Sequence, residues 1–329
     1  MNDAQHGRVT IEDVRPSIDC GRFPVKRIAG QTVTVEAGIF ADGHDQLSCD
    51  VLFRRADAST WQSSPMASLG NDMWRGSFTV EAIGEYEYTV RARIDAFATW
   101  QTRLRKHLAS DMDIAVDLVT GAQLLESAAD RAGGSERDAL LERARQVRAT
   151  RARDEASTLA LDTAIAHLAV KYSDESAAST LKPPLRVTVD RVRALFGSWY
   201  EMFPRSCSPT PGRHGTFTDC AARLPYIAEL GFDVLYLPPI HPIGITARKG
   251  RNNAETCTET DPGTPWAIGS HEGGHKALHP LLGSLDDFRA LMDAARDYGI
   301  EIAMDLAFQC SPDHPYVKER PHWFRRRPD

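Results

Sequence analysis

The sequence predicts a multidomain protein in which an immunoglobulin-like β-sandwich carries an inserted helical bundle and precedes the first three βα units of a (β/α)8 barrel. Its 329 residues exceed one ordinary domain, since domains average ~100–200 residues. Short β-rich runs fill the first hundred residues, and a segment rich in Ala, Leu, Arg and Glu follows. The last part alternates strand-like and helix-like segments, which indicates parallel strands with helical crossovers.

Residues 1–110 are expected to form the β-sandwich domain. The β-rich runs are RVTIEDVRPSI, QTVTVEAGIF, LSCDVLFRRA, GSFTVEAI and GEYEYTVRARI, and turn-forming clusters such as Leu69-Gly70-Asn71-Asp72 separate them. Regular short strands between such turns are typical of antiparallel sandwiches.

Residues 111–182 are expected to form the inserted bundle, with three helices or possibly a fourth. Apolar residues repeat at spacings of three to four, as in Leu118, Ala122 and Leu125, and Gly133-Gly134 separates the first two helices. Such stripes mostly mark a core, and a partner-binding surface is the functional alternative. The run LRVTVD within 183–193 predicts one strand that returns to the sandwich.

Residues 194–329 are expected to form the amino-terminal part of a catalytic barrel. Its segments read as strand LFGSWYEMF, helix FTDCAARLPYIAEL, strand DVLYLPPI, helix SLDDFRALMDAARDYG and strand IEIAMDLAF. Polar residues such as Arg205 and Gln309 follow these strands, and in barrels the carboxyl ends of strands build the site. A closed barrel needs eight strands and ~250 residues, so the sequence is expected to stop within the fold.

Composition excludes several classes of function. A net charge of −6 disfavours nucleic acid and anionic membranes as partners, and no stretch approaches the ~20 apolar residues of a membrane span. The start has no export signal, so a cytoplasmic location is expected. The six cysteines form no CxxC pair and are expected to be free thiols.

One motif invites a metal-site interpretation. The run HEGGH, from His271 to His275, satisfies the H-E-x-x-H pattern of zinc proteases. That chemistry requires both histidines on one face of a stable helix, and Gly273-Gly274 costs ~2 kcal/mol of helix propensity there. We therefore expect no metal, and we expect His275 and His279 to order a loop; contact with a bound sugar is the alternative.

Five segments together resemble one family. They are WYEMFPRS, LGFDVLYLPPIHPIG, RKGRNN, IGSHEGGHKALHPLLGSLDDF and MDLAFQCSPDHP. The family is the bacterial α-1,4-glucan:maltose-1-phosphate maltosyltransferases of the α-amylase superfamily. The resemblance implies a retaining transfer of maltosyl units from maltose 1-phosphate to the non-reducing end of α-1,4-glucans, by double displacement through two carboxyl groups ~5–5.5 Å apart. It also implies a homodimer and neither metal nor organic cofactor.

The resemblance assigns Lys249 and Gln309 to donor binding. A lysine offers three charged N–H donors, and an amide donates and accepts at once, which suits sugar hydroxyls. A lone loop lysine is more often merely solvated, but the whole hexapeptide RKGRNN matches. Asp305 opens the first conserved amylase segment, where asparagine and histidine usually follow four and five residues later; here Gln309 and Cys310 stand, as in the maltosyltransferase branch. Asp305 is expected to hold neighbouring loops.

The family's nucleophile, acid and stabilising aspartate lie on later strands, so no catalytic residue is assigned within this sequence, and Glu201 is not taken as the acid. They are expected beyond Asp329, and the chain itself is expected to be inactive. The alternative is a non-catalytic glucan-binding or dimerisation module that retained the sandwich and the helices.

Overall fold

The computed structural model describes residues 8–326 and residue 328. The chain divides into two compact units, Met1–Leu195 and Phe196–Asp329. Each unit has its own secondary structure and its own apolar cores.

Two β-sheets form the frame of the first unit. One has the order β1-β3-β7-β6, the other has the order β2-β10-β8-β4-β5, and the short β9 pairs with β8. The strands are β1 (Val9–Arg15), β2 (Val25–Ile28), β3 (Gln31–Ala41), β4 (Leu47–Arg55), β5 (Gln62–Pro65), β6 (Ala67–Gly70), β7 (Met73–Val80), β8 (Gly84–Ile94), β9 (Ser179–Thr180) and β10 (Leu185–Asp190).

The two sheets share one apolar core because their strands alternate. In β3 the side chains of Val33 and Val35 are fully buried, while the intervening Thr34 is exposed, as the two-residue period of a strand requires. Phe53 of β4 stacks on Phe78 of β7 with ring centroids 4.6 Å apart, which joins the sheets. Burial of this apolar surface stabilises the pair by roughly 25 cal/mol per Å².

The run LRVTVD is β10, which lies between two strands far from it in sequence. Val187 pairs with Val25 of β2 in parallel register and with Tyr86 of β8 in antiparallel register. The helices therefore lie between β8 and β10 along the chain, as an insertion.

Five helices occupy the insertion: α1 (Ala96–Ala109), α2 (Ala115–Ala129), α3 (Gly134–Ala149), α4 (Arg153–Ala160) and α5 (Thr163–Lys171). The expected boundary between the sandwich (1–110) and the helical bundle (111–182) lies too late in the chain, because α1 already covers Ala96–Ala109. The Asp95 carboxylate caps α1 by accepting from the Ala98 N–H at 2.8 Å. Phe97, Trp100 and Leu104 are buried at helical spacing, so the local signal is present in the sequence.

The second unit contains a three-stranded parallel sheet in the order β11-β12-β13. Its elements are β11 (Trp199–Glu201), α6 (Phe217–Ala221), α7 (Leu224–Glu229), β12 (Val234–Leu237), α8 (Leu285–Asp297), β13 (Glu301–Met304) and α9 (Pro315–Glu319). Side chains from helices and strands, including Phe217, Leu235 and Leu291, fill its core. Among the described residues, no helix is long and apolar enough to cross a membrane.

The single helix expected over FTDCAARLPYIAEL is two short helices. Pro225 stands in the first turn of α7 and has no N–H to donate to the carbonyl of Ala221, so the ladder of α6 ends there. By contrast, α8 begins where its sequence predicts, because Ser284 and Asp287 form a capping box.

Candidate functional site

The candidate site lies in the loops that follow β11, β12 and β13. In parallel sheets, ligand sites form beyond the carboxyl ends of the strands. The loop after β11 carries Arg205, the loop after β12 carries Lys249, and the segment after β13 carries Gln309.

Lys249 lines a cavity of about 760 Å³. The lining residues are Arg205, Lys249, Gly250, Arg251, Asn252, Asn253, Pro262, Gly263 and Thr264. Within the described part of the chain, this lining contains three cations and two side-chain amides but no carboxylate. The cavity therefore presents N–H donors and a positive potential.

Backbone geometry explains the asparagines of this loop. Asn252 and Asn253 have φ values of 54° and 63°, in the left-handed region where asparagine is better tolerated than most residues. The Gly250 N–H donates to the Ala254 carbonyl at 2.9 Å and closes the turn. The hexapeptide RKGRNN thus forms a tight turn that projects Lys249 from its start.

Arg205 is held by another residue of the same lining. Its Nη1 donates to the Gly263 carbonyl at 2.7 Å, and burial lowers the pKa of its guanidinium. Arg251 approaches Asp261, with 3.4 Å between Nε and Oδ1. The Thr258 N–H donates to Asp261 and lowers the pKa of that carboxyl, with a further contribution from Arg251.

A second, adjoining cavity of about 860 Å³ shares Arg205 and Arg251 with the first. Arg248 also lines it, and donates to the carbonyls of Gly244 at 3.1 Å and Ile243 at 3.3 Å. Glu272 contributes a carboxylate to this lining, so the second cavity has mixed charge. Guanidinium and carboxylate groups on one wall suit sugar hydroxyls, which both donate and accept hydrogen bonds.

Asp305 connects the end of β13 to a neighbouring loop. Its Oδ2 accepts from the Trp266 indole N–H at 2.7 Å, and its backbone N–H donates to Leu237 of β12 at 3.0 Å. Burial raises the pKa of the Tyr236 phenol, and a hydrogen bond to Asp305 adds to the shift. Through these contacts Asp305 connects the loop of Trp266 to the ends of β12 and β13.

Gln309 is exposed and lies outside the residues that line the Lys249 cavity in the described chain. Lys249 and Gln309, the two candidate donor-binding residues, therefore do not line the same cavity. Their segments share a pairing partner, because Ile268 bridges to Ile243 before the Lys249 turn and to Cys310 after Gln309. Phe308, next to Gln309, is 88% exposed.

The HEGGH run is an irregular turn. Gly273 and Gly274 have φ values of 125° and 57°, so His271 and His275 do not lie on one helical face. The His275 Nε2 donates to the Ala307 carbonyl at 2.7 Å, and its Nδ1 lies 2.8 Å from Nε2 of His314. Across the described residues, no group of three or more His, Cys, Asp or Glu side chains is arranged to hold a metal ion.

His279 orders the end of the same loop. Its Nδ1 accepts from the Leu281 N–H at 3.2 Å, and its ring stacks on His214 with centroids 5.3 Å apart. Burial lowers the pKa of His279 to about 4, and the neighbouring His214 contributes to the shift. The imidazole is therefore neutral near pH 7.

The sequence placed Arg205 at a strand end without a binding role and did not single out Arg248 and Arg251, although the structure places all three around the two cavities. Two features of the sequence indicate a site role for these arginines. Arg205 follows β11, and Arg248 and Arg251 flank Lys249. Their convergence depends on Gly263, which accepts from Arg205 and lies against the Arg248 side chain. That contact joins residues far apart in sequence.

The fold and the site describe a multidomain α/β protein with a cationic cavity beyond parallel strands. Residues 7–191, more than half of the chain, match the family model described as α-1,4-glucan:maltose-1-phosphate maltosyltransferase, domain N/S. The chain therefore belongs to the α-1,4-glucan:maltose-1-phosphate maltosyltransferase family.

Two curated relatives carry that family's name. The protein from Methylacidiphilum infernorum (isolate V4) is 48% identical over 322 residues, which cover 98% of this chain and 48% of the relative. The protein from Chlorobaculum tepidum is 48% identical over 323 residues, with the same coverage. The chain thus spans about half the length of these relatives. A solved α-amylase from Lactobacillus plantarum is 35% identical, covers 40% of this chain and 28% of its own, and gives a TM-score of 0.33.

Proposed function

We propose that these 329 residues are the amino-terminal half of a maltosyltransferase that extends α-1,4-glucans with maltosyl units from maltose 1-phosphate. The observation that carries the proposal is the 48% identity to a named maltosyltransferase across 98% of this chain. The match extends over both compact units, including the loops that carry Lys249 and Gln309.

In this proposal the first unit is an immunoglobulin-like sandwich with an inserted helical bundle, and the three parallel strands begin a (β/α)8 barrel. The reaction is a retaining double displacement in which a carboxylate attacks the anomeric carbon and phosphate leaves. In the proposal these carboxylates are not among the 329 residues, which span about half of the relatives' length. Neither a metal nor an organic cofactor takes part.

Lys249 and Gln309 are the proposed donor-binding residues. The lining around Lys249 supports this role, because its ammonium, guanidinium and amide groups offer N–H donors to sugar hydroxyls. Gln309 is solvent-exposed and follows Asp305, whose contact with Trp266 fixes the start of the segment. The two residues would contact the donor from different loops.

A catalytic assay tests the proposal. The purified 329-residue chain is incubated with maltose 1-phosphate and a malto-oligosaccharide, and released phosphate is measured beside the full-length Methylacidiphilum infernorum relative. We expect release by the relative and none by the chain, because the proposal assigns no residue of the chain as nucleophile or acid. Phosphate release by the chain alone would show that the catalytic carboxylates are within these residues.

A binding assay separates the enzyme half from a non-catalytic module. Calorimetry compares maltose 1-phosphate with a long α-1,4-glucan as ligands of the chain. Donor binding is expected from the enzyme half. Tight glucan binding with no donor binding would instead favour the glucan-binding module.

We further propose that the helical insertion contributes to a homodimer. Val116 and Val119 of α2 are 77% and 45% exposed and lie three residues apart, which places them on one helix face. Two exposed valines on one face favour contact with a second copy.

A further inference from the structure

Two cysteines of the second unit lie side by side. Cys207 follows the turn after β11 and is half-buried, whereas Cys220 lies in α6 and is fully buried. Both belong to the same apolar core, together with Phe217 and Leu224. They are thirteen residues apart in sequence, so their contact is a product of the fold.

A close backbone approach holds the two cysteines together. The Gly215 N–H donates to the Arg205 carbonyl at 2.8 Å. A Cβ at Gly215 would lie 2.3 Å from the Pro204 carbonyl oxygen and 2.9 Å from the Cys207 nitrogen, so only glycine fits there. Because Thr216 caps α6 immediately afterwards, the helix start is fixed directly on the turn that carries Cys207.

The two thiols interact, because each shifts the pKa of the other. The Cys207 thiol also donates to the Phe203 carbonyl at 3.3 Å. The hydrogen bond between the two thiols lowers the pKa of Cys207, and the charge of Arg223 lowers it further. The same bond, together with burial, raises the pKa of Cys220. Cys207 is also the more exposed of the two sulfurs, so a small oxidant reaches it first.

We propose that Cys207 and Cys220 are a peroxide-reactive dithiol that forms a reversible intramolecular disulfide. The Cys207 thiolate attacks one oxygen of a hydroperoxide, the O–O bond breaks, and Cys207 becomes a sulfenic acid while water or an alcohol leaves. The Cys220 sulfur then attacks the Cys207 sulfur, an S–S bond forms, and water leaves. Two thiols are oxidised and one peroxide is reduced.

The dithiol lies beside the second cavity. Ser206 and Ser208, the neighbours of Cys207 in sequence, both line that cavity with Arg205. A disulfide to α6 would fix this turn and restrict the movement of the Arg205 wall. Oxidation would thereby limit the movement of Arg205 in the cavity lining without modifying Lys249.

The test uses the unsubstituted chain, because trypsin separates the two cysteines. Cleavage after Arg205, Arg213 and Arg223 releases one peptide with Cys207, residues 206–213, and another with Cys220, residues 214–223. The native protein is treated with hydrogen peroxide, free thiols are blocked, and the digest is analysed by mass spectrometry with and without dithiothreitol. Cys20 and Cys257, both exposed, are the internal controls.

We expect a single cross-linked pair of these two peptides, a loss of two titratable thiols per chain, and full reversal by dithiothreitol. A Cys220→Ser variant should instead accumulate a sulfenic acid at Cys207 that a dimedone probe traps. Oxidation of Cys20 or Cys257 before Cys207, or a sulfinic acid at Cys207 without the cross-link, would refute the dithiol. Because the unsubstituted chain gives the cross-link result, the test does not depend on the folding of the variant.

Discussion

Gly274 lies directly against the His314 imidazole, so that a Cβ on Gly274 would approach Nε2 of His314 to 2.3 Å. His314 is buried, with 1% of its surface exposed, and its ring contacts His275 through the 2.8 Å bond between Nε2 and Nδ1. Because Gly274 has no side chain, His314 can pack against it and hold the loop through its contact with His275. The HEGGH run therefore packs a buried histidine against a glycine turn, which is not the helix that the zinc-protease pattern requires.

Replacement of Gly274 by alanine should destabilise the protein. The φ of 57° disfavours a side chain, and the new methyl would displace a buried imidazole, so we expect a loss of about 2 to 4 kcal/mol in the free energy of unfolding. The matched control is Gly299→Ala, which has a φ of 70° and nothing within 4 Å of the added Cβ. It should cost about 1 kcal/mol. Urea unfolding measures both, and equal losses would contradict the contact with His314.

Acid should weaken the fold through His279. Burial depresses its pKa from 6.5 in the unfolded chain to about 4, so the folded state favours the neutral ring. The contribution of the neutral His279 ring to the free energy of unfolding is complete above pH 6.5. It is lost as pH falls from 6.5 to about 4, by up to about 2 kcal/mol after allowance for partial exposure of the ring.

A His279→Asn variant tests this dependence, because asparagine keeps an acceptor for the Leu281 N–H and does not titrate. The free energy of unfolding is measured by urea titration between pH 7.5 and 4.5. We expect a shallower fall with acid in the variant than in the parent, and His44→Asn, on an exposed loop, is measured beside it as a matched substitution. If the free energy of unfolding falls equally with pH in the parent and in His279→Asn, His279 does not cause the loss of stability in acid.

Removal of Lys249 should weaken donor binding. Loss of a charged donor to a sugar hydroxyl costs about 1.5 to 3 kcal/mol, so Lys249→Ala should lower the affinity for maltose 1-phosphate by roughly tenfold to a hundredfold. Gln309→Ala removes neutral bonds and should lower it by about threefold to tenfold. Calorimetry on the chain measures these effects, with the exposed Lys182→Ala as control. Unchanged affinity in both site variants would remove these residues from the donor site.

Gly121 should tolerate no side chain. A Cβ there would lie 2.0 Å from Cζ2 of Trp100, which is 2% exposed and donates its indole N–H to the Asp117 carbonyl at 2.7 Å. Gly121→Ala should therefore cost about 3 kcal/mol or more by overpacking. Gly133→Ala, with nothing within 4 Å of the added Cβ, should cost less than about 1 kcal/mol. Thermal melting compares the two, and similar melting temperatures would mean that the helical core can repack.

Charge on the exposed face of α2 should disrupt the proposed homodimer. The double variant Val116→Asp, Val119→Asp places two carboxylates where a second copy would bury apolar surface, so we expect a monomer by light scattering. Val192→Asp, at another exposed valine of the first unit, is the control and should not change the mass. A parent chain that is already monomeric, or a dimeric double variant, would exclude this face.

Local sequence patterns predicted several elements of this fold. The alternation of β3 specified a half-buried strand, and the Ser284–Asp287 capping box specified where α8 begins. Helix α1 was missed, although Asp95 and the spacing of Phe97, Trp100 and Leu104 carried the signal. The aromatic residues and threonines within 96–109 have only modest helix propensity, and burial of one side stabilises the helix.

The sequence by itself determined which residues this protein offers for chemistry: the RKGRNN turn with Lys249, Gln309 after Asp305, and the motifs of one family. Only the tertiary structure decided which of them meet. Gly263 joins Arg205 to Arg248, Gly215 joins the turn of Cys207 to the helix of Cys220, and Gln309 lies apart from the Lys249 lining. Periodicity acts between neighbours along the chain, whereas these approaches depend on backbone packing between loops that no local pattern encodes.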